Sequence, residues 1–150
     1  MTGLRRRGPE IDLDLPEEEL GLLFLALLLL EGLSPDDPAD PAARRLRYHA
    51  HPEDEEAEAR FRELTAGSLE ADRAADRQRF ATSLQRGTLG PEDAAAWLRV
   101  LSEARLALAA RLGLDRKRGG GRPGRGGAAS LLDLFGCVQD ELAGLLLAGL

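Results

Sequence analysis

An unbroken apolar run, Leu20 to Leu30, constrains this chain more than any other part of its sequence. Glutamates close the run, at Glu17 to Glu19 before it and at Glu31 after it. A helix needs about 20 apolar residues to cross a bilayer, so the run is too short for a membrane span. A helix that is apolar on every side belongs in a protein core or against a partner. We therefore predict a central helix of about fifteen residues, beginning near Pro16 and ending just before Gly32.

Two further features bear on where the chain works. A secretory signal peptide places basic residues directly before its apolar core and small residues at a cleavage site after it. Arg5 to Arg7 are instead separated from the apolar run by PEIDLDLPEEE, so the signal-peptide interpretation is the weaker one. The single cysteine, Cys137, excludes an intramolecular disulfide and a cysteine-rich zinc site. We expect a cytoplasmic protein without a membrane segment.

The composition favours helices. Aromatic residues make up only 4% of the 150 residues, and β-branched residues are few. The common residues are Ala, Leu, Glu and Arg, which favour helices. A hydrophobic content of 43% is enough for the core of one domain. We predict an all-α fold, a single-domain bundle over residues 1–150 with about four main helices and a short extended N-terminal segment.

Three helices are predicted after the Leu20 to Leu30 helix. The first extends from Glu53 to about Arg86, as one long helix or as two helices divided near Gly67. The second extends from Pro91 to Gly113. Its apolar residues recur at steps of three and four: Trp97, Leu101, Ala104, Leu108 and Leu112. The third is a closing helix whose apolar stripe follows a predicted capping box of Ser130 and Asp133.

Two segments lack the pattern of a packed element. Residues 1–10 are predicted to form a mobile basic arm. The motif EIDLDLP at 10–16 alternates apolar and acidic residues and predicts one extended segment, too short to found a sheet. Residues 115–128 include DRKRGGGRPGRGG. No hydrophobic face holds this stretch, so we predict a flexible Arg/Gly-rich loop.

Three side chains of the 91–113 helix are candidates for a partner-binding or structural role. Trp97 begins the apolar stripe and is predicted to pack in the core against the Leu20 to Leu30 helix; an exposed anchor for a partner is the alternative. Arg105 and Arg111 lie inside an apolar sequence, where a guanidinium can pair with a carboxylate of another helix. In the alternative, their stems cover apolar surface while their charged groups reach water.

Charge is distributed unevenly along the chain, whose net charge is −6. Residues 10–72 hold 18 acidic and 5 basic residues, whereas residues 73–128 hold 12 basic and 5 acidic ones. Solvated faces and pairing within the chain are one interpretation, and non-specific binding of nucleic acid is another. The absence of interleaved aromatic residues favours a linker over a nucleic-acid site. Besides Arg5 to Arg7, the candidate phosphate contacts are Arg116, Lys117, Arg118, Arg122 and Arg125.

Catalytic and metal-binding patterns are sparse. His49 and His51 precede a proline and have no cysteine nearby in the sequence, so solvent-facing loop histidines are favoured over a metal site. The acidic run EDEEAE suits the N-terminal turn of a helix. The glycines of residues 119–127 lack the spacing of a phosphate-binding loop. We therefore expect no enzyme, no cofactor, no metal and no catalytic residue, and the enzyme alternative is a cleft near the two histidines.

Four motifs resemble those of a small actinobacterial family of unknown function. They are DPAARRL at 40–46, ARFRELT at 59–65, WLRVLSEARLALAARLGL at 97–114 and LFGCVQDEL at 134–142. Members of that family are described as actinomycete oxidative-stress regulators of transcription that act with a sigma factor. The resemblance implies a regulatory protein with a protein partner such as a sigma factor. A redox switch through a cysteine pair, proposed for the family, cannot lie within this sequence because Cys137 is its only cysteine.

The sequence thus favours a non-enzymatic regulatory interaction protein. The Leu20 to Leu30 helix is apolar on every side, and LAGLLLAGL at 142–150 carries no charged side chain. Together they exceed the apolar surface that a four-helix core of this size covers. We therefore expect a homodimer in addition to the protein partner.

Overall fold

The structure is a computed structural model that describes residues 3–31, 54–112 and 127–148. The helices in these residues are α1 (Glu17–Glu31), α2 (Glu55–Arg86), α3 (Pro91–Leu112) and α4 (Gly127–Ala148). The strands are β1 (Leu4–Arg7), β2 (Glu10–Leu13) and β3 (Thr88–Leu89). The described chain is predominantly helical, as its composition predicts. The prediction of an all-α fold is wrong in one respect, because the three strands form a sheet.

The sheet is antiparallel, with the strand order β1-β2-β3. β1 and β2 form a hairpin, and β2 pairs with β3 through Ile11 and Leu89. Gly8 has a φ of 63° at the first central position of the hairpin turn, which glycine occupies in type II′ turns. The expectation that EIDLDLP is too short for a sheet is therefore wrong. The arm predicted over residues 1–10 is also corrected, since Leu4–Arg7 is a paired strand.

α2 is one helix of 32 residues, so Gly67 does not divide it. The side chain of Asp54 caps its start by accepting hydrogen bonds from the amides of Glu56 at 3.1 Å and Ala57 at 3.2 Å. Gly87 ends the helix in the left-handed conformation, with a φ of 84°, as glycine commonly does at a helix C-terminus. Local preferences thus fix both ends of the longest described helix.

The other helices begin at or near their predicted starts. α1 follows Pro16, and α3 begins at Pro91, in the first turn that proline favours. α4 begins at Gly127, so Ser130 lies inside the helix and the predicted capping box is wrong. Outside the described residues lie two predicted helix ends and most of the predicted loop: Gly32, Gly113 and residues 115–126.

The core draws on all four helices and on the sheet. α3 makes the most extensive contacts with the other helices, so it is the central helix. The Leu20 to Leu30 helix, which the sequence predicts to be central, also contacts the other three helices but less extensively. The largest fully buried side chains are Trp97 of α3, Phe80 of α2 and Phe135 of α4. α1 lies on one side of this core, which leaves part of its apolar surface uncovered.

Candidate functional site

α1 exposes a continuous apolar surface on the side that faces away from the core. Its inner residues are buried: Leu23, Ala26, Leu27 and Leu30. On the opposite side Phe24 is 48% exposed and Leu28 is 50% exposed. Leu22 is also exposed, and Leu25 and Leu29 are only partly buried. We call the following residues the outer face of α1: Leu22, Phe24, Leu25, Leu28 and Leu29.

Phe24 and Leu28 form the centre of the outer face. They are four residues apart, so their side chains are neighbours on the helix surface. With Leu22 they expose on the order of 200 Å² of apolar area, judged from the 150–250 Å² of a whole aromatic side chain. Leu64, Leu106 and Leu147 are exposed one to a helix on α2, α3 and α4. A single exposed leucine is ordinary, whereas a contiguous apolar patch is a candidate interaction site.

Carboxylates lie at both ends of the outer face. Glu17, Glu18 and Glu19 occupy the first turn of α1, Glu31 is its last residue, and its last turn has no basic residue. The first three suit the positive end of the helix dipole, but Glu31 adds a negative charge at the negative end, where a cation is favoured. The outer face therefore combines apolar side chains with negative charge at its two ends.

A second candidate site is an open cleft of about 390 Å³ between α2 and α3. Arg99 donates two hydrogen bonds to Asp76, at 2.7 and 2.8 Å. A carboxylate oxygen of Glu103 lies 3.5 Å from a nitrogen of Arg73 and 3.8 Å from one of Arg77. Burial raises the pKa of Glu103, and the two neighbouring arginines oppose that rise. A carboxyl group of raised pKa in a cleft is a pattern that also occurs in catalytic sites.

The contacts of this cleft are better explained as a joint between two helices. Both Asp76 and Glu103 on its wall face arginines, so the charges neutralise each other across the α2–α3 contact. Among the described residues, those lining the cleft include no serine, cysteine or histidine: Asp72, Arg73, Ala75, Asp76, Arg99 and Glu103. The cleft therefore offers charge pairing and one carboxyl group of raised pKa, without a nucleophile beside it.

Trp97 lies in the core, with no exposed surface. Its ring packs against Phe80, with the centroids 4.3 Å apart and the planes inclined by 32°. Its indole Nε1 donates a hydrogen bond to Ser83 Oγ at 2.8 Å. Both of these partners belong to α2, and the packing of Trp97 against α1 stays a prediction. This placement favours the structural role of Trp97 over an exposed anchor.

Arg105 links α3 to α4. Its Nη1 donates a hydrogen bond to Gln139 Oε1 at 2.7 Å, and Gln139 Nε2 donates to the Leu98 carbonyl at 3.0 Å and to Ser102 Oγ at 2.6 Å. The partner on the other helix is thus an amide, where the sequence suggested a carboxylate. Arg111 is an exposed residue of the last turn of α3.

The arginines of the N-terminal hairpin bond to groups of the chain itself. Arg5 and Arg7 form ion pairs with aspartates at 3.5 and 3.4 Å, and Arg6 donates a hydrogen bond to the Leu145 carbonyl at 2.7 Å. These contacts leave less of their charge for phosphates. Outside the described residues lie the remaining predicted phosphate contacts and the two histidines: Arg116, Lys117, Arg118, Arg122, Arg125, His49 and His51.

The acidic, histidine and cysteine side chains and the helices of the described part of the chain bear on metal and membrane functions. In residues 3–31, 54–112 and 127–148, no three His, Cys, Asp or Glu side chains come together in a group that could hold a metal ion. The helices of the same ranges include none that is long and apolar enough to cross a membrane. Cys137 is a free, exposed thiol on α4.

Sequence analysis did not single out Phe24 and Leu28 within the apolar run. Amphipathic helices reveal their buried side by a periodic apolar pattern. In α1 almost every position from Leu20 to Leu30 is apolar, so the pattern has no preferred side. Only the position of α1 beside α3 decides which leucines stay exposed.

Comparisons with known proteins give one match. The sequence model of a family described as Domain of unknown function (DUF2017) matches residues 1–146. No curated protein and no solved structure matches the chain.

Proposed function

We propose that this chain, which belongs to the DUF2017 family of unknown function, is a non-enzymatic regulatory protein that binds another protein through the outer face of α1. The observation that carries the proposal is the contiguous exposure of Phe24 and Leu28 on a helix without an internal charge. Leaving such a surface in water costs free energy that a partner recovers by covering it.

The arrangement of the polar residues also supports a binding function over an enzymatic one. The charged side chains of the α2–α3 cleft are engaged with one another, and the Gln139 amide is engaged by α3. A catalytic site needs a nucleophile or base within reach of a group that activates it. The cleft with Glu103 has no such pair among the described residues.

A role in the transcriptional response to oxidative stress, with a sigma factor as the partner, is the finer part of the proposal. It is supported by the resemblance of the motifs at 40–46, 59–65, 97–114 and 134–142 to the family of actinomycete regulators. This role places the protein in the cytoplasm, where sigma factors act. Cys137 is exposed on α4, outside the outer face of α1.

The test is binding of purified sigma factors from the source organism to the immobilised chain. We expect one sigma factor to bind the unchanged protein and not to bind the Phe24→Gln/Leu28→Gln double variant. Leu64→Gln is the matched control, because Leu64 is an exposed leucine on another helix, 84% exposed. If the double variant still binds the sigma factor, the outer face of α1 is not the binding site. If no sigma factor binds the unchanged protein, the proposed partner is wrong.

Non-specific binding of nucleic acid is the alternative function that the sequence left open. Its remaining support is the basic charge of residues 116–125, since Arg5 to Arg7 are engaged within the hairpin region. Affinity that comes from phosphate contacts falls steeply with salt concentration. DNA binding that disappears at physiological salt would leave the protein-binding proposal unaffected.

A further inference from the structure

The charge around the outer face of α1 discriminates between the occupants that could cover it. Glu17 to Glu19 lie at one end and Glu31 at the other, and no basic residue occurs between them on α1. The carbonyl end of the helix adds about half a negative charge beside Glu31. A partner helix aligned with α1 over the apolar centre therefore brings its own ends close to the first-turn carboxylates and to Glu31.

A second copy of this chain meets those carboxylates with carboxylates. In an antiparallel contact through the outer faces, Glu31 of one copy approaches Glu17 to Glu19 of the other. In a parallel contact each end meets its own equivalent. Both arrangements place like charges together, which is unfavourable across an interface. The phosphates of nucleic acids and of anionic lipids have the same sign and meet the same opposition.

The size of the apolar centre also argues against a stable dimer through this face. Phe24, Leu28 and Leu22 expose on the order of 200 Å² of apolar area. A standard stable interface buries about 800 Å² on each partner. A single amphipathic helix needs a smaller contact area, because it contacts the other protein only through apolar residues three and four positions apart.

We infer that the outer face of α1 receives an amphipathic helix of a partner protein, with leucine-type residues along one stripe and lysine or arginine at both ends of that stripe. This inference rests on the proposed protein-binding function and adds the chemistry of the partner. Glu17, which is in line with Phe24 and Leu28 on the helix surface, and Glu31 are about 21 Å apart along α1, from a rise of 1.5 Å per residue. The two basic ends of the partner stripe are therefore separated by about four helical turns.

The probe that tests the inference is a designed peptide of about 18 residues, long enough for four to five helical turns. It has leucines three and four residues apart and lysines at both ends. Its matched control has glutamates in place of the lysines. We expect the lysine peptide to bind the full chain, the glutamate peptide to bind at least about tenfold more weakly, and added salt to weaken the lysine peptide.

Variants of the chain locate the peptide. Phe24→Gln/Leu28→Gln should weaken the lysine peptide by at least about tenfold, as expected for central interface residues, and Leu64→Gln should leave its affinity unchanged. Glu17→Gln/Glu31→Gln should weaken it and reduce its salt dependence. Circular dichroism and the fluorescence of Trp97 establish that each variant is folded. The charge variant tests the inference even if the apolar variant fails to fold.

Three results would overturn the inference. The first is equal affinity for the two peptides. The second is an unchanged affinity for the lysine peptide in both double variants. The third is a dimer that Phe24→Gln/Leu28→Gln converts to a monomer, because a second copy of this chain then occupies the outer face. If the lysine peptide fails to bind but the Phe24→Gln/Leu28→Gln variant loses its protein partner, only the partner chemistry is wrong. If that variant keeps its partner, the proposed binding site is wrong as well.

Discussion

At the scale of single residues, Ser83 explains how a large indole is accommodated in the core. Ser83 Oγ accepts the hydrogen bond of Trp97 Nε1 at 2.8 Å and donates one to the Arg79 carbonyl at 2.5 Å. A buried indole N–H needs an acceptor, and a serine that bonds back to its own helix can provide it. The spacing of α3 predicts a buried Trp97, but it contains no information on which residue of α2 will accept.

We predict that Trp97→Ala lowers the free energy of unfolding by about 3 to 5 kcal/mol, through lost burial and the cavity that remains. Ser83→Ala should cost about 1 to 3 kcal/mol, because it leaves the indole N–H buried without a partner. The same serine change in a Trp97→Phe background should cost less, since the N–H is then absent. Urea unfolding measures the unchanged chain and the four variants. A Trp97→Ala variant with an unchanged midpoint would contradict the buried placement.

Asp93 gives a prediction about pH. It accepts hydrogen bonds from the Gly90 amide at 2.9 Å and from Arg86 at 2.6 Å. Burial acts to raise the pKa of Asp93, but the bonds from Gly90, Arg86 and Arg79 outweigh it and hold the pKa below the ordinary value of 3.8. The folded state therefore binds fewer protons at Asp93 than the unfolded state does. The stabilisation is present above the ordinary pKa and is lost as the pH falls through the lowered one.

The corresponding experiment compares Asp93→Asn with the unchanged chain from pH 7 down to pH 3. The variant should be less stable at neutral pH, and its stability should fall less on acidification. Glu92→Gln is the control, because Glu92 is the neighbouring acid and is largely exposed, with a single ion pair to Arg79. Parallel pH profiles for Asp93→Asn and the unchanged chain would show that Asp93 is not the residue responsible.

At the scale of secondary-structure elements, the helices follow local signals and the sheet does not. Pro91 and the three- and four-residue spacing of the apolar residues place α3 correctly. The sheet depends on pairing between β2, which precedes α1 in the sequence, and β3, which follows α2. β3 has only two residues, too few for any alternating pattern. The hairpin was not predicted because the charged run Arg5 to Arg7 lacks the alternating pattern of a strand, although Gly8 and Pro9 are a turn signal.

The hairpin turn predicts opposite effects for two glycine substitutions. Gly8→Ala should destabilise the chain by about 1 to 2 kcal/mol, because a left-handed conformation is unfavourable for alanine. Gly144→Ala should stabilise it by up to about 1 kcal/mol, because alanine is a better helix former. Gly144 lies in α4, and nothing lies within 4 Å of an added Cβ atom there. Thermal unfolding gives the sign of each change, and destabilisation by Gly144→Ala together with a neutral Gly8→Ala would contradict these assignments.

At the scale of the whole molecule, the sequence predicted the kind of role that the Leu20 to Leu30 run can have, but not which of its residues are exposed to a partner. It predicted a helix that enters a core or meets a partner. The structure covers one side of α1 and exposes Phe24 and Leu28 on the other. Which side is exposed depends on tertiary packing, because leucines surround the helix and give no preferred side. The carboxylates at the ends of the run were visible in the sequence, but their relation to an exposed surface was not.

We propose that self-association, expected from the sequence, uses the C-terminal part of α4. Leu147 is 70% exposed, its neighbours Leu145 and Leu146 are only partly buried, and α4 has no charged side chain after Glu141, so Leu147 belongs to an uncharged apolar segment and is more than a single exposed leucine. Light scattering should give the mass of a dimer, and Leu147→Glu should give a monomer because it places a charge in the contact. A monomer for the unchanged chain over micromolar concentrations would contradict the dimer and leave the outer face of α1 available to a partner.

The most direct test of the central claim is photo-crosslinking in the source organism, with p-benzoylphenylalanine in place of Phe24 in one chain and of Leu64 in another. We predict a discrete adduct from position 24, with a second protein in it that mass spectrometry identifies, and no such adduct from position 64. The same adducts from both positions, or an adduct from position 24 made only of two copies of this chain, would contradict a partner-binding outer face of α1.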